Sequence, residues 1–250
     1  MRDRTGPETV EVCDRRDVSK LIFALTAPTE ATDHAVATAL SPHLRERAGA
    51  AGAVRIQVNV VDEAFTGAHN IQALTAPIVG TVGAWCDDAD LAGVASALRG
   101  VLTEAGVTHH GWTIDEHEPL AGPQVADGER VAALANVAFL RKPADQPYEE
   151  WRSLWQDHHT KIALETQDTF GYVQNRVLEP LTPDAPPVVA IVEELFHEAA
   201  ATDWHVFYGS GGDQDELRRR MLLMKQSCDR FGANKGLDLV STARRSWSLR

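Results

Sequence analysis

The chain has 250 residues, of which 44% are hydrophobic and 24% charged, and its net charge is −12. These proportions fit a folded globular protein, and the acidic balance argues against a nucleic-acid-binding surface or an anionic-membrane surface. Cys13, Cys86 and Cys228 are widely spaced and form no Cys-x-x-Cys pair, which points away from a disulfide framework or a zinc knuckle.

Met1-Arg2-Asp3-Arg4 has no apolar run behind it, so residues 1–17 read as a flexible tail rather than a secretory signal. No stretch approaches the roughly 20 apolar residues needed to cross a bilayer, and a cytoplasmic location is expected. Lys20 to Leu25 is an apolar run of strand length. Thr32 and Asp33 offer N-caps to a helix reaching about Ala48. Val54 to Asp62 alternates as a strand, with Ile56, Val58 and Val60 on one face and Gln57 and Asn59 on the other. Ile78 to Trp85 is a strand, Asp87 to Leu102 a helix and Thr108 to Ile114 a strand. Residues 116–130 are polar and turn-rich and read as a linker between a first unit, 18–115, and a second, 131–250.

The second unit repeats the order. Val131 to Leu140 is a strand, and Pro147 starts a helix reaching about Glu165. Phe170 to Leu178 and Val188 to Phe196 are strands, Asp213 to Arg230 is a helix and Leu237 to Trp247 the closing strand. An insertion from His197 to Gly212 carries Asp203, Trp204, His205, Phe207 and Tyr208, and such mixed loops are often functional. Two echoes support a duplication. His43 and Asn59 stand sixteen positions apart, as do His159 and Asn175, and His109 to Ile114 is answered by Arg244 to Leu249. The expected fold class is α+β: two tandem ferredoxin-like βαββαβ units whose sheets cover each other, an intramolecular dimeric α+β barrel.

Residues four apart share a helix face, which aligns Trp151, Trp155 and His159, with His158 flanking and Tyr148 one turn earlier. A stripe of this kind equally serves packing. The spacing to Asn175 and a carboxylate on the next strand favour chemistry instead. Glu193 and Glu194 must point to opposite faces. The reading takes Glu193 as the partner of the helix imidazole, because a carboxylate fixes a His tautomer and raises its basicity. The first unit keeps His43 and Asn59 but has Gly83-Ala84 in place of the glutamates, so the second unit is the expected active one. His109 and His110 are adjacent on a strand and face opposite ways, and no metal site is expected. Gly209-Ser210-Gly211-Gly212 reads as a turn, matching no phosphate-binding pattern.

The second unit resembles the EthD family of the dimeric α+β barrel superfamily. The likeness rests on Trp155 and His159 closing a helix, on Tyr172 and Asn175 in one strand, and on Glu193 and Phe196 in another. It implies a pocket between helix and sheet, and relatives act in ether catabolism and in decarboxylation or dehydration of aromatic polyketides. Other members of the superfamily are cofactor-free monooxygenases, cyclases or isomerases, and some bind haem. The expectation is a cofactor-independent enzyme of lyase type on an aromatic or polyketide-like molecule. Trp151, Trp155, Tyr172, Phe196 and Tyr148 would wall the pocket. His159, or His158 in its place, would move the proton with Glu193, and Asn175 would donate to a developing oxyanion. The alternatives are a haem-binding or cofactor-free oxygenase and a non-catalytic carrier of a hydrophobic molecule. A hydrophobic or aromatic small molecule is the expected partner, with no nucleic acid or membrane. The internal pseudo-dimer leaves a further homodimer open.

Overall fold

Segments with an apolar face every second residue become strands, and each expected strand is present, with the fourth running beyond its expected end. The computed structural model describes residues 18–26 and 34–250. Its strands are β1 (Val18–Thr26), β2 (Ala53–Val60), β3 (Ile78–Asp87), β4 (Thr108–Leu120), β5 (Leu134–Leu140), β6 (Gly171–Pro180), β7 (Ala190–Phe196) and β8 (Asp238–Ser248). The helices are α1 (His34–Ala50), α2 (Leu91–Glu104), α3 (Tyr148–Ser153), α4 (Thr160–Thr166), α5 (Trp204–Phe207) and α6 (Gln214–Phe231), with a π-helical turn, Leu154–His159, joining α3 to α4. The expected tail 1–17, Cys13 and the caps at Thr32 and Asp33 lie outside the described residues.

Local chemistry explains the helix ends. The Asp213 carboxylate accepts from the backbone N–H groups of Asp215 and Glu216 and opens α6. Gly232, at φ 75°, closes it in the left-handed conformation that glycine adopts without strain.

The expectation of two tandem ferredoxin-like units with separate sheets is corrected by the strand pairing. The eight strands form one closed antiparallel barrel in the order β1-β3-β2-β8-β5-β7-β6-β4. Within each half the four strands do keep the same order, but neither half ends in a free edge. β2 pairs with β8 from Arg55↔Ser248 to Val60↔Ala243, and β4 pairs with β6 from Trp112↔Pro180 to Leu120↔Tyr172. Closure satisfies the backbone groups that an open sheet edge leaves unpaired. The same pairing draws in the expected linker: β4 continues to Leu120, and Arg130 bridges to Arg245.

Closure also fixes two kinds of interior. Inside the barrel, Ile22, Trp112, Val137, Phe139, Ile191 and Val240 pack together. Outside it, α1 and α2 cover Leu21, Phe23, Ile56 and Val58, while the π-turn and α6 cover Tyr172, Ala190 and Val192. Ile56, Val58 and Val60 face the helices and Gln57 and Asn59 the interior, as alternation predicts. The tryptophan echo does not mark equivalent positions. Trp112 lies in the barrel cluster and Trp247 in the outer cluster of the first half, the outcome of a one-residue offset on a strand.

Candidate functional site

Tyr148, Trp151, Trp155, His159 and Tyr172 come together in the helix layer of the second half. Trp151 and Trp155 are fully buried with ring centres 5.2 Å apart, and Tyr148 stacks on Trp151 at 6.0 Å. Neither indole N–H has a hydrogen-bond partner among the described residues. The helix widens into a π-turn over Leu154–His159, within this row. Trp155 C=O accepts from the backbone N–H of Thr160, five residues on, and also from the Thr160 hydroxyl at 3.3 Å. Such π-turns are rare and concentrate at functional sites.

His159 is buried, with Nδ1 2.9 Å from the Ser227 hydroxyl and its ring 4.8 Å from Phe231. Burial lowers its pKa from 6.5 to about 4, so the imidazole is neutral at ordinary pH. His158 is exposed on the other face. Phe196 packs in a separate cluster with Phe65 and Leu134, stacked on Phe207 at 4.3 Å.

The structure separates His159 from Asn175 and Glu193. Both point into the barrel, on the far side of the sheet from the imidazole. Asn175 Oδ1 accepts from Lys20 Nζ at 2.7 Å, and its amide donates to Ile191 C=O at 3.0 Å. Glu193 accepts from Gln57 at 2.9 Å and from Asn59 at 2.8 Å. The sixteen-residue spacing therefore links a helix position to a strand position facing away from it. In the first half the exposed His43 and the buried Asn59 are parted in the same way.

Glu194 is the carboxylate that faces the helix layer. It sits opposite Asn136 on β5 and opposite Tyr172 on β6, and Ser241 on β8 stands opposite Asn136. A row of four polar side chains thus crosses four strands beneath the helices. Burial pushes the Glu194 carboxyl up to about 7. Burial also raises the neighbouring phenol of Tyr172, with the Glu194 charge adding to it, and raises the Cys228 thiol to about 12. Both stay protonated.

Beside this row lies a cavity of about 40 Å³, lined by His69, Leu134, Asn136, Trp204, Phe207 and Ser241 among others. Ser241 Oγ donates to Asn136 Oδ1 at 3.1 Å, which leaves the Asn136 amide N–H groups for a ligand. Trp204, 41% exposed, meets His69 edge-on at 5.5 Å. The insertion that the sequence singled out therefore does border a cavity. His69, Asn136, Glu194 and Ser241 carried no motif. The only signal was the alternation that sends one of two adjacent glutamates to the helix face.

A second polar site fills one end of the barrel. Lys20, buried, binds the Glu116 carboxylate, and its Nζ stands 4.5 Å over the Trp85 ring. Desolvation lowers the Lys20 pKa against the opposing pull of Glu116. Arg55 stacks on Trp85 at 4.2 Å. These residues, with Gln57, Glu193 and Arg244, line a chamber of about 90 Å³. Among the described residues no group of three or more His, Cys, Asp or Glu could hold a metal ion. No described helix is long and apolar enough to cross a membrane.

Comparison with solved structures places the architecture. A crystal structure of an anthrone oxidase-like protein superposes with a TM-score of 0.59 over 94% of both chains, at 12% sequence identity. The fold is shared. Two provisionally named monooxygenases align less well. One, from Fusobacterium nucleatum, has a TM-score of 0.47 at 6% identity over 92% of both chains. The other, from Lactobacillus acidophilus, has 0.49 at 10% identity over 93% of this chain and 96% of its own. No family model and no curated protein sequence matches the chain, so the EthD assignment stays a resemblance.

Proposed function

We propose that the protein is a small-molecule enzyme that removes a proton from an aromatic substrate at Glu194 and lets molecular oxygen oxidise the resulting anion. The observation that carries this is the place of Glu194 on the helix-facing side of the sheet, opposite Asn136 and Tyr172, where desolvation raises its carboxyl to about 7. A carboxylate of that basicity is matched to proton abstraction near neutral pH. The fold shared with an anthrone oxidase-like protein supports oxygen as the oxidant and a polycyclic phenol or anthrone as the substrate class.

In such a reaction the base takes a proton from the acidic methylene of an anthrone. The delocalised carbanion forms a C–O bond to O2, protonation gives a hydroperoxide, and its O–O and remaining C–H bonds break with loss of water to leave the quinone carbonyl. One anthrone and one O2 give one anthraquinone and one H2O. The Asn136 amide would donate to the enolate oxygen, and the aromatic residues of the layer would favour a planar ring system. The lyase reading uses the same first step and differs in what happens to the anion.

Purified protein incubated with an anthrone should consume oxygen and form quinone in equal amounts. Glu194→Gln should lower kcat by about 10²–10⁴-fold. Product without oxygen uptake would favour the lyase reading. A Soret band in the purified protein would favour the haem variant. Full activity of the Glu194 variant would move the base elsewhere, with His159→Ala the next to measure.

A further inference from the structure

We propose that the barrel-end chamber binds a small monocarboxylate in the fork of Arg244. Arg244 is only 9% exposed, yet its guanidinium makes no hydrogen bond to another described residue. Its buried Nε has no partner, and the nearest carboxylate oxygen, Glu193 Oε1, is 3.7 Å away, beyond hydrogen-bond reach. Glu193 does not depend on it, because Gln57 and Asn59 already donate to both its oxygens. Lys20 is engaged by Glu116 and Asn175. Of the two buried cations that line the chamber, Lys20 and Arg244, it is Arg244 that makes no hydrogen bond to another described residue.

A buried guanidinium with an open fork matches a planar oxyanion held by two parallel hydrogen bonds. Arg55, stacked on Trp85, adds positive charge at the rim. The chamber's lining sets Lys20, Arg55 and Arg244 against Glu116, Glu118 and Glu193, so the lining is neutral in sum and one added negative charge unbalances it less than two. That selects a carboxylate over sulfate or phosphate. About 90 Å³ is space for several water-sized groups, which suits a short carboxylate. Glu193 and Glu194 point to opposite sides of the sheet, so this site is separate from the row proposed for oxidation and does not rest on that reading.

The test titrates the full chain with formate, acetate and propionate at constant ionic strength and pH, against chloride and sulfate. It follows calorimetry and the Arg244 Nε–H resonance by NMR. Carboxylate should bind saturably and shift that resonance, while sulfate should bind more weakly. Arg244→Gln should lower affinity by at least about ten-fold, and Arg244→Lys, which keeps the charge but loses the fork, should also weaken it. Absence of saturation in the wild type, an unmoved Nε–H resonance, tighter sulfate binding, or undiminished affinity in a folded Arg244 variant would each overturn the proposal. The resonance measurement stands even where a variant fails to fold.

Discussion

Adjacent glutamates on one strand must serve opposite faces, and the sequence alone does not say which serves which. Glu193 meets Gln57 and Asn59 inside the barrel, and Glu194 meets the helix layer. The choice depends on strand register, which is set by partners far away in sequence. The stripe of Trp151, Trp155 and His159 was legible because helix periodicity is local. The environments of His159 and Glu194 leave opposite marks on stability. Glu194 has a folded pKa raised from 4.5 to about 7, so its stabilising contribution is complete below pH 4.5 and is lost as pH rises through 7. Glu194→Gln should therefore gain stability relative to the wild type above pH 7, by about 1–3 kcal/mol, read from chemical denaturation across pH. His159 has a folded pKa lowered from 6.5 to about 4. Its contribution is complete above pH 6.5 and is lost as pH falls through 4. His159→Ala leaves the Ser227 hydroxyl unpaired and should cost roughly 1–3 kcal/mol at pH 7. An unchanged denaturation midpoint would show that the imidazole is not held as described.

At the scale of elements, the strands and long helices were legible from alternation and capping, and the connections were not. The segment from Glu63 to Pro77 crosses from the first half to seal the cavity of the second. It is tied by Asn70 Oδ1, which accepts from the Ser241 N–H at 2.8 Å, and by the bridge of Ile71 to Leu239. Asp238 holds it further, accepting from the N–H groups of Ala73 at 2.7 Å and Leu74 at 3.0 Å while paired with Arg141 at 2.7 Å. Arg141 apart, these partners lie more than 160 residues away in sequence, so no local pattern announces them. A buried carboxylate that accepts from two backbone donors and is ion-paired with a guanidinium is costly to remove. Asp238→Ala should destabilise the protein by roughly 3–5 kcal/mol and lower Tm by roughly 10 °C. If the mutation were nearly silent in calorimetry, Asp238 would not be the anchor of this segment.

At the scale of the whole molecule, the repeat in element order suggested two units, and that is where the sequence misled. Local periodicity names strands but not their neighbours, and the decisive ladders, β2 with β8 and β4 with β6, join the two halves. Their consequence reaches the interior. Glu193 of the second half is satisfied by Gln57 and Asn59 of the first, and Asn175 by Lys20. A chain of residues 131–250 alone would expose the edges of β6 and β8 and would leave Glu193 without its two amide donors. Leaving buried polar groups unpaired costs about 1–3 kcal/mol each, more for charged ones, and open apolar edges invite pairing with other copies. Residues 131–250 produced alone should therefore aggregate or self-associate, and should lack the near-ultraviolet circular dichroism of a packed aromatic core. Co-expression with residues 1–130 should restore a soluble two-chain complex that unfolds in one transition. A monomeric 131–250 fragment with cooperative unfolding would show that each half is independently stable and that closure is not what holds the second half together.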